Sequence, residues 1–518
     1  MSDLFNLIDE AWIPCIRHDG TCTDLSLRQT LAEAHELREL YAETPPVTAA
    51  LHRLLLAVLH RVFGPKRRAD WQRLLEAGHF DMARLDAYLG KWRHRFNLFD
   101  SERPFYQSRY KGAGEKSVVS LVLEMASGNN ATLFDHHTEG ASAALTPTQA
   151  AHAVLTSQAF GFSGLSGMPE KFTDAPGAKG ILFFAQGNSL FETLMLNLIR
   201  YPQEEGDMPS GPDDQPAWEM TDPLKPDRST PHGYLDYLTW HNRRILLLPE
   251  RTGNAVIVQK MIWGPGLRLE AEVRDPMKHY REDKRTGFVP LSFNSERALW
   301  RDSSALLQLK KSDTRPPAAF FWLSNLVDEG AIGMAQVYRF IALGLSKDQA
   351  KLEFFRSEAL PLPLKYLHDD LLVDKLSTSL GYATDVARRL NGAVFTLVRL
   401  ILKPTTTDEE LAKEPSREER DRINQFASHW AIDRYYWSAL ELPFRRMMVD
   451  LLHKPDEAQA TWRDELRLAA RRAFDCVERY VGTDSRSGRA VVRARQQFEW
   501  GLNRVLANET TQTKGGAA

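Results

Sequence analysis

LHDDLLVDKLSTSLGYATDVARRLNGAVFTLVRLIL, residues 367–402, sets Leu372, Leu376, Leu380, Ala383, Ala387, Leu390, Val394, Leu397 and Ile401 three or four positions apart. That spacing lays one apolar stripe along a helix, which Pro404 ends. Three more amphipathic segments follow, at 417–452, 456–480 and 487–507. Ser416 with Glu419 predicts a capping box at the start of the second, and Pro443 predicts a kink inside it. Lys454-Pro455 and Gly482-Thr-Asp-Ser485 supply the remaining turns. Short turns between long helices make antiparallel neighbours, so residues 364–510 predict a four-helix bundle. Residues 511–518, which include TKGGAA, predict a disordered tail.

Residues 1–363 read differently, as a large mixed α/β domain, which makes the chain α+β in class. Alternation over Phe5–Pro14 predicts a strand, paired with a second across the turn His18-Asp-Gly20. Ser26 opens a short helix, and Thr48–Phe63 is a strongly apolar one closed by Gly64-Pro65. Helices continue over 71–92, and FNLFDSERPFYQ, residues 96–107, is a turn rich in aromatics. Leu145–Phe160 predicts a helix, and residues 200–232 a long surface loop. RRILLLPE, NAVIVQKMIW and LRLEAEV predict strands, and residues 318–345 a return to helix.

At 518 residues the chain exceeds a single core and predicts two or three domains. No run of about 18 apolar residues offers a membrane span, and charges at Asp3, Asp9 and Glu10 interrupt any secretory signal. Cys15, Cys22 and Cys476 suit a reduced, cytoplasmic protein and hold no zinc-ligand spacing. The net charge of −2 provides no global basic field, so contact with nucleic acid requires local patches or a larger assembly.

The helix ending at Phe160 delivers QAFGFSGLSGMP, residues 158–169, where Gly161, Gly164 and Gly167 recur at every third position. The spacing matches neither GxGxxG nor a Walker loop. Its ordinary reading is a glycine-rich surface loop. Its sharper reading is a main chain presented outward, between flanking Phe160 and Phe162.

These landmarks together resemble the large subunit of the type I-E CRISPR surveillance complex, the CasA family of Cascade. The resemblance covers nearly the whole chain: FNLIDEAWIPC at the start, ERPFYQ, the helix leading into GFSG, YLTWHNRRI, KDQA and the C-terminal helices. It implies a subunit that recognises a protospacer-adjacent motif in duplex DNA through the minor groove; the CxxC pair that some members carry is absent and no Ser/His/Asp, Cys/His or HExxH pattern occurs, so no metal, cofactor or catalytic residue is expected. The glycine loop would be Gly161, Phe162, Ser163 and Gly164. The wedge would be Gln349, flanked by Asp348 and Ala350, and the lysine finger Lys260 or Lys278. Leu133, Phe134 and Asp135 would meet the 5′ handle of the crRNA. The implied partners are crRNA, double-stranded target DNA, the backbone, small and 5′-handle-binding subunits, and the helicase–nuclease effector. Ser163 and Leu165 interrupt a loop that is more purely glycine in some relatives.

Ordinary readings stand beside these. Gln349 is a polar turn residue, Lys260 a solvent-facing strand residue and Phe134 an anchor under a loop. Arg463, Arg467, Arg471, Arg489 and Arg493 form rows that usually make a solvated, salt-bridged face; the sharper reading is a groove wall for a DNA strand. Two other functions compete. His136, His137, Asp369 and Asp370 would serve a metal-dependent nuclease if they converged, although neither pair has ligand spacing. A pure assembly scaffold would use the bundle alone.

Overall fold

The computed structural model describes residues 4–507 apart from 111, 124–143, 166, 201–207, 209–210, 226, 254, 271–272, 310–312 and 349–350. The chain divides into two compact units, Met1–Arg297 with Leu309–Leu367, and Ala298–Gln308 with His368–Ala518. The class is α+β: a mixed unit, then a helical one.

The mixed unit opens on a hairpin, but its first strand is Ile13–Arg17 rather than 5–14. Residues 6–10 turn instead, because the Asn6 carbonyl accepts the N–H groups of Asp9 and Glu10 and its side chain accepts that of Ile8. Strand Cys22–Leu25 then pairs antiparallel across Gly20, whose φ of 90° suits a residue without Cβ. Ser26 and Gln29 close a reciprocal capping box on the next helix. Helix Pro45–Val62 starts with proline, where a missing N–H costs nothing, and is buried along nearly its whole length.

Four three-stranded antiparallel sheets occur among the described residues. Two of them position the candidate site. In one, Arg243–Thr252 pairs with Ala255–Pro265, which also pairs with Glu115–Ser117. In the other, Val337–Asp348 lies between Leu182–Gln186 and Lys351–Pro363. This second sheet corrects the sequence reading, since helix Ala318–Asp328 ends and residues 337–345 are strand. A short apolar run is ambiguous between buried helix and buried strand; here pairing on both edges satisfies its backbone. Residues 267–270, expected to be strand, are not.

In the helical unit the long helix is Asp370–Leu402, capped by Asp369, whose carboxylate accepts the Leu372 N–H at 3.0 Å. The segment expected as one kinked helix over 417–452 is three: Arg417–Ser428, Ile432–Ala439 and Glu441–Asp450. The first break falls at Ala431, a non-glycine residue at φ 45°. Pro443 therefore sits in the first turn of the last helix, where it removes no helical hydrogen bond. Ser416 accepts from the Glu419 N–H, but the Glu419 carboxylate takes Arg399 Nε at 2.9 Å instead of returning to the cap. Helices Pro455–Tyr480 and Ser485–Val505 complete the unit. Residues 298–308 also belong to it. Trp300 is fully buried there, with ring centroids 4.7 Å from Phe444 and 5.7 Å from Trp437.

Candidate nucleic-acid interface

Helix Pro147–Phe160 is capped by a Thr146–Gln149 box and buried on almost every face, so its C-terminus is a fixed platform. Gly161 leaves it with its N–H on the Ser157 carbonyl. A Cβ at Gly161 would lie 2.6 Å from that carbonyl oxygen and 2.8 Å from Arg243 Nη2, so only glycine fits. Gly164 differs, with nothing within 4 Å of a Cβ placed there. Between them the loop folds onto Phe172: Gly164 and Phe172 exchange backbone hydrogen bonds of 3.2 and 3.0 Å.

Two charged groups brace this loop. From below, Arg243 donates to the Phe162 carbonyl at 2.6 Å and to the Thr173 carbonyl at 2.9 Å. Burial pulls this guanidinium down to about 9, with Asp174 acting in the opposite sense. On the outer side, Asp174 accepts the Ser163 N–H at 2.8 Å. The same carboxylate pairs with Lys347 and, at 3.0 Å, with Lys179. Burial alone would raise its pKa; Lys347, the Ser163 N–H and Lys179 reverse that and hold it at about 2. Lys347 also lies 5.5 Å from the centroid of the Phe162 ring. A cavity of about 360 Å³ opens here, lined by Ser163, Asp174, Lys179, Ser292, Ser346 and Lys347.

Lys347 stands two residues before Gln349, near the end of its strand, where Lys347 pairs with Leu352 and Asp348 with Lys351. The chain joining those strands is Gln349-Ala350, outside the described residues. One carboxylate thus ties the glycine loop to the root of the expected wedge. Sequence reading missed this brace. TDAPGAKG, residues 173–180, stood out as a second loop, but nothing local marks Asp174 as the partner of a lysine 173 positions away.

The two lysine-finger candidates separate. Lys260 is exposed on strand Ala255–Pro265 and paired with Glu115 at 3.0 Å, which raises its pKa. Three residues on, Trp263 stacks against Phe172 at 4.4 Å, so this strand adjoins the glycine loop's own partner. Lys278 instead is buried, and its ammonium donates to the Pro176 carbonyl. Burial lowers it to about 8. It supports the 173–180 loop from within and presents no ammonium to a groove.

Leu133, Phe134 and Asp135, with His136 and His137, lie outside the described residues. In the helical unit, Arg467 pairs with Asp464, Arg471 with both oxygens of Glu499, and Arg493 with Asp408. Arg463 and Arg489 hold no ion pair among the described residues, and Arg489 is exposed. No group of three or more His, Cys, Asp or Glu side chains among the described residues is placed to hold a metal. No described helix is long and apolar enough to cross a membrane.

A mixed unit followed by a helical one is a fold this chain shares with CRISPR-associated proteins of known structure. The chain belongs to the Cse1 family, described as CRISPR-associated protein Cse1, whose sequence profile matches residues 6–473. It is 34% identical over 515 residues to CRISPR-associated protein CasA/Cse1 of Thermus thermophilus, covering 95% of this chain and 96% of that one. The crystal structure of Thermus thermophilus CasA superposes with a TM-score of 0.78 at 30% identity, over 96% of this chain and 99% of that one. A chain of a CRISPR RNA-guided surveillance complex shares the fold at 23% identity, with a TM-score of 0.75 over 96% and 99% of the two chains.

Proposed function

We propose that this chain is the non-catalytic large subunit of a cytoplasmic RNA-guided surveillance complex, and that it reads a protospacer-adjacent motif in duplex DNA. The observation that carries the reading is the Asp174 brace, which joins a main-chain loop to the strand end that leads into Gln349. Recognition and opening of a duplex need such coupling, because the groove reader and the wedge must act on adjacent base pairs.

The chemistry suits the parts. The minor groove offers mostly acceptors, with the guanine amino group as its one donor. A glycine main chain fits a narrow groove and lets a carbonyl accept from guanine N2, while a lysine ammonium donates to thymine O2 or adenine N3. Lys260 is the better placed of the two candidate fingers, being exposed. Lys179 and Lys347 exceed Asp174 by one positive charge beside the loop, which favours phosphate nearby. Gln349 then enters beside the motif, at an unstacking cost of about a few kcal/mol, and base pairing with the crRNA takes over sequence reading. Leu133, Phe134 and Asp135 contact the crRNA handle, the remaining subunits hold the chain in place, and the helicase–nuclease docks afterwards. Arg463 and Arg489 are the members of the arginine rows left to meet a DNA strand.

Gln349→Ala in the assembled complex tests the wedge. Assembly and motif affinity remain, and the rate of strand opening, followed by permanganate reactivity of unpaired thymines, falls about tenfold or more. An unchanged opening rate removes Gln349 from the mechanism.

A further inference from the structure

The turn ERPFYQ, residues 102–107, takes no part in the reading above, yet it walls a cavity of about 270 Å³ in the mixed unit. Four arginines line that cavity, Arg95, Arg103, Arg109 and Arg244, against two carboxylates, Glu102 and Asp222. The Asp222 carboxylate is already engaged by the Leu224 N–H at 3.0 Å. Arg103 and Arg109 are exposed at the rim, whereas Arg95 and His241 are buried, at 9% and 4% exposure.

The floor is unusual in what it lacks. Arg95 Nε and Nη1, Arg244 Nε, Ser108 Oγ and both ring nitrogens of His241 are buried without a hydrogen-bond partner among the described residues. Arg95 uses only Nη2, toward the Met220 carbonyl at 3.4 Å. Buried donors are normally satisfied, and a buried cation left unpaired is costly, so such a set calls for a ligand that supplies acceptors and negative charge. Tyr106, whose ring is buried 5.1 Å from that of His241, holds φ 58°, a backbone conformation that residues other than glycine rarely keep.

We propose that this cavity is a binding site for a phosphate group. A phosphate carries up to two charges on three equivalent oxygens, and guanidinium forks match it bidentately; a carboxylate would leave part of this donor set unanswered. His241 joins as a neutral donor, since burial first, and then Arg95, Arg228 and Arg244, hold its pKa down at about 3. The phosphate belongs either to a small phosphorylated ligand or to the end of a nucleic-acid strand. This inference stands on the cavity alone and does not depend on motif recognition by the glycine loop.

The test uses the full-length chain at fixed ionic strength, titrated with inorganic phosphate, with AMP, and with a short single-stranded RNA bearing or lacking a 5′-phosphate. Binding is followed by the thermal midpoint and by calorimetry. We expect a saturable upward shift of several degrees with phosphate ligands, absent with chloride, as mass action requires for binding to the folded state. Arg95→Gln weakens the apparent affinity at least tenfold. Arg103→Gln, at the exposed rim and without consequence for folding, weakens it severalfold, which keeps the test decisive if the Arg95 variant fails to fold. Saturation by inorganic phosphate or AMP assigns a free ligand; saturation by the RNA only when 5′-phosphorylated assigns a strand end; both uphold the site. No saturable response to any of these probes, or the same affinity in the Arg103→Gln chain, overturns it.

Discussion

Asp174→Ala should leave the guide-RNA complex assembled and slow duplex opening by tenfold or more. The substitution removes a carboxylate that holds three groups, Lys347, Lys179 and the Ser163 N–H. The Lys347 ammonium, 11% exposed, loses its carboxylate, and the Ser163 N–H loses its acceptor. Breaking a partly buried, hydrogen-bonded ion pair costs about 2–3 kcal/mol, which the mixed unit can absorb while the loop and the strand end lose their common anchor. Asp174→Asn separates geometry from charge, because an amide oxygen still accepts from Ser163 but holds two ammonium groups poorly. The brace is also acid-sensitive in a defined direction. Its folded-state pKa, about 2, lies below the ordinary 3.8, so its stabilisation is complete above about pH 4 and is lost as pH falls toward 2. Assays near neutrality therefore see it intact. If stopped-flow opening rates for Asp174→Ala match wild type, the brace is structural only.

Gly161→Ala and Gly164→Ala should differ sharply although the residues stand three apart. At Gly161 a methyl group meets Ser157 O at 2.6 Å and Arg243 Nη2 at 2.8 Å. Backbone cannot yield there, and Arg243 is committed to the Phe162 and Thr173 carbonyls. We expect a loss of about 3 kcal/mol in urea unfolding of the isolated chain. Gly164→Ala meets nothing within 4 Å and should change stability by less than about 0.5 kcal/mol. Equal stabilities for the two variants would contradict the packing described for Gly161.

What the sequence disclosed and what it withheld follow from the range of the forces. Local signals were readable: the short helix opened by Ser26, the apolar run inside helix Pro45–Val62, the stripe along Asp370–Leu402, and the helix that delivers Gly161. Long-range packing was not. Residues 298–308 join the helical unit because Trp300 stacks among Phe444, Trp437 and Trp462, more than a hundred positions on. Val337–Asp348 is strand because it has pairing partners on both sides, a fact its own residues do not carry. Lys278 looked like any other lysine near a strand; only the fold buries it under Pro176. The candidate site divides the same way. Its glycines are legible as glycines, whereas which of them is structural and which is open to a ligand depends on Arg243, some eighty residues away in sequence.

Gly164→Asp gives the most direct test of motif reading by the glycine loop. It places a carboxylate where the Cβ meets no protein atom, so the fold is spared and a DNA groove is not. Duplex affinity of the guide-RNA complex should be measured at one fixed salt concentration, on targets with and without the motif. The account predicts that the wild-type chain tightens binding only to motif-bearing DNA, and that Gly164→Asp removes at least tenfold of that gain with assembly intact. A motif-dependent gain that survives Gly164→Asp unchanged would contradict it.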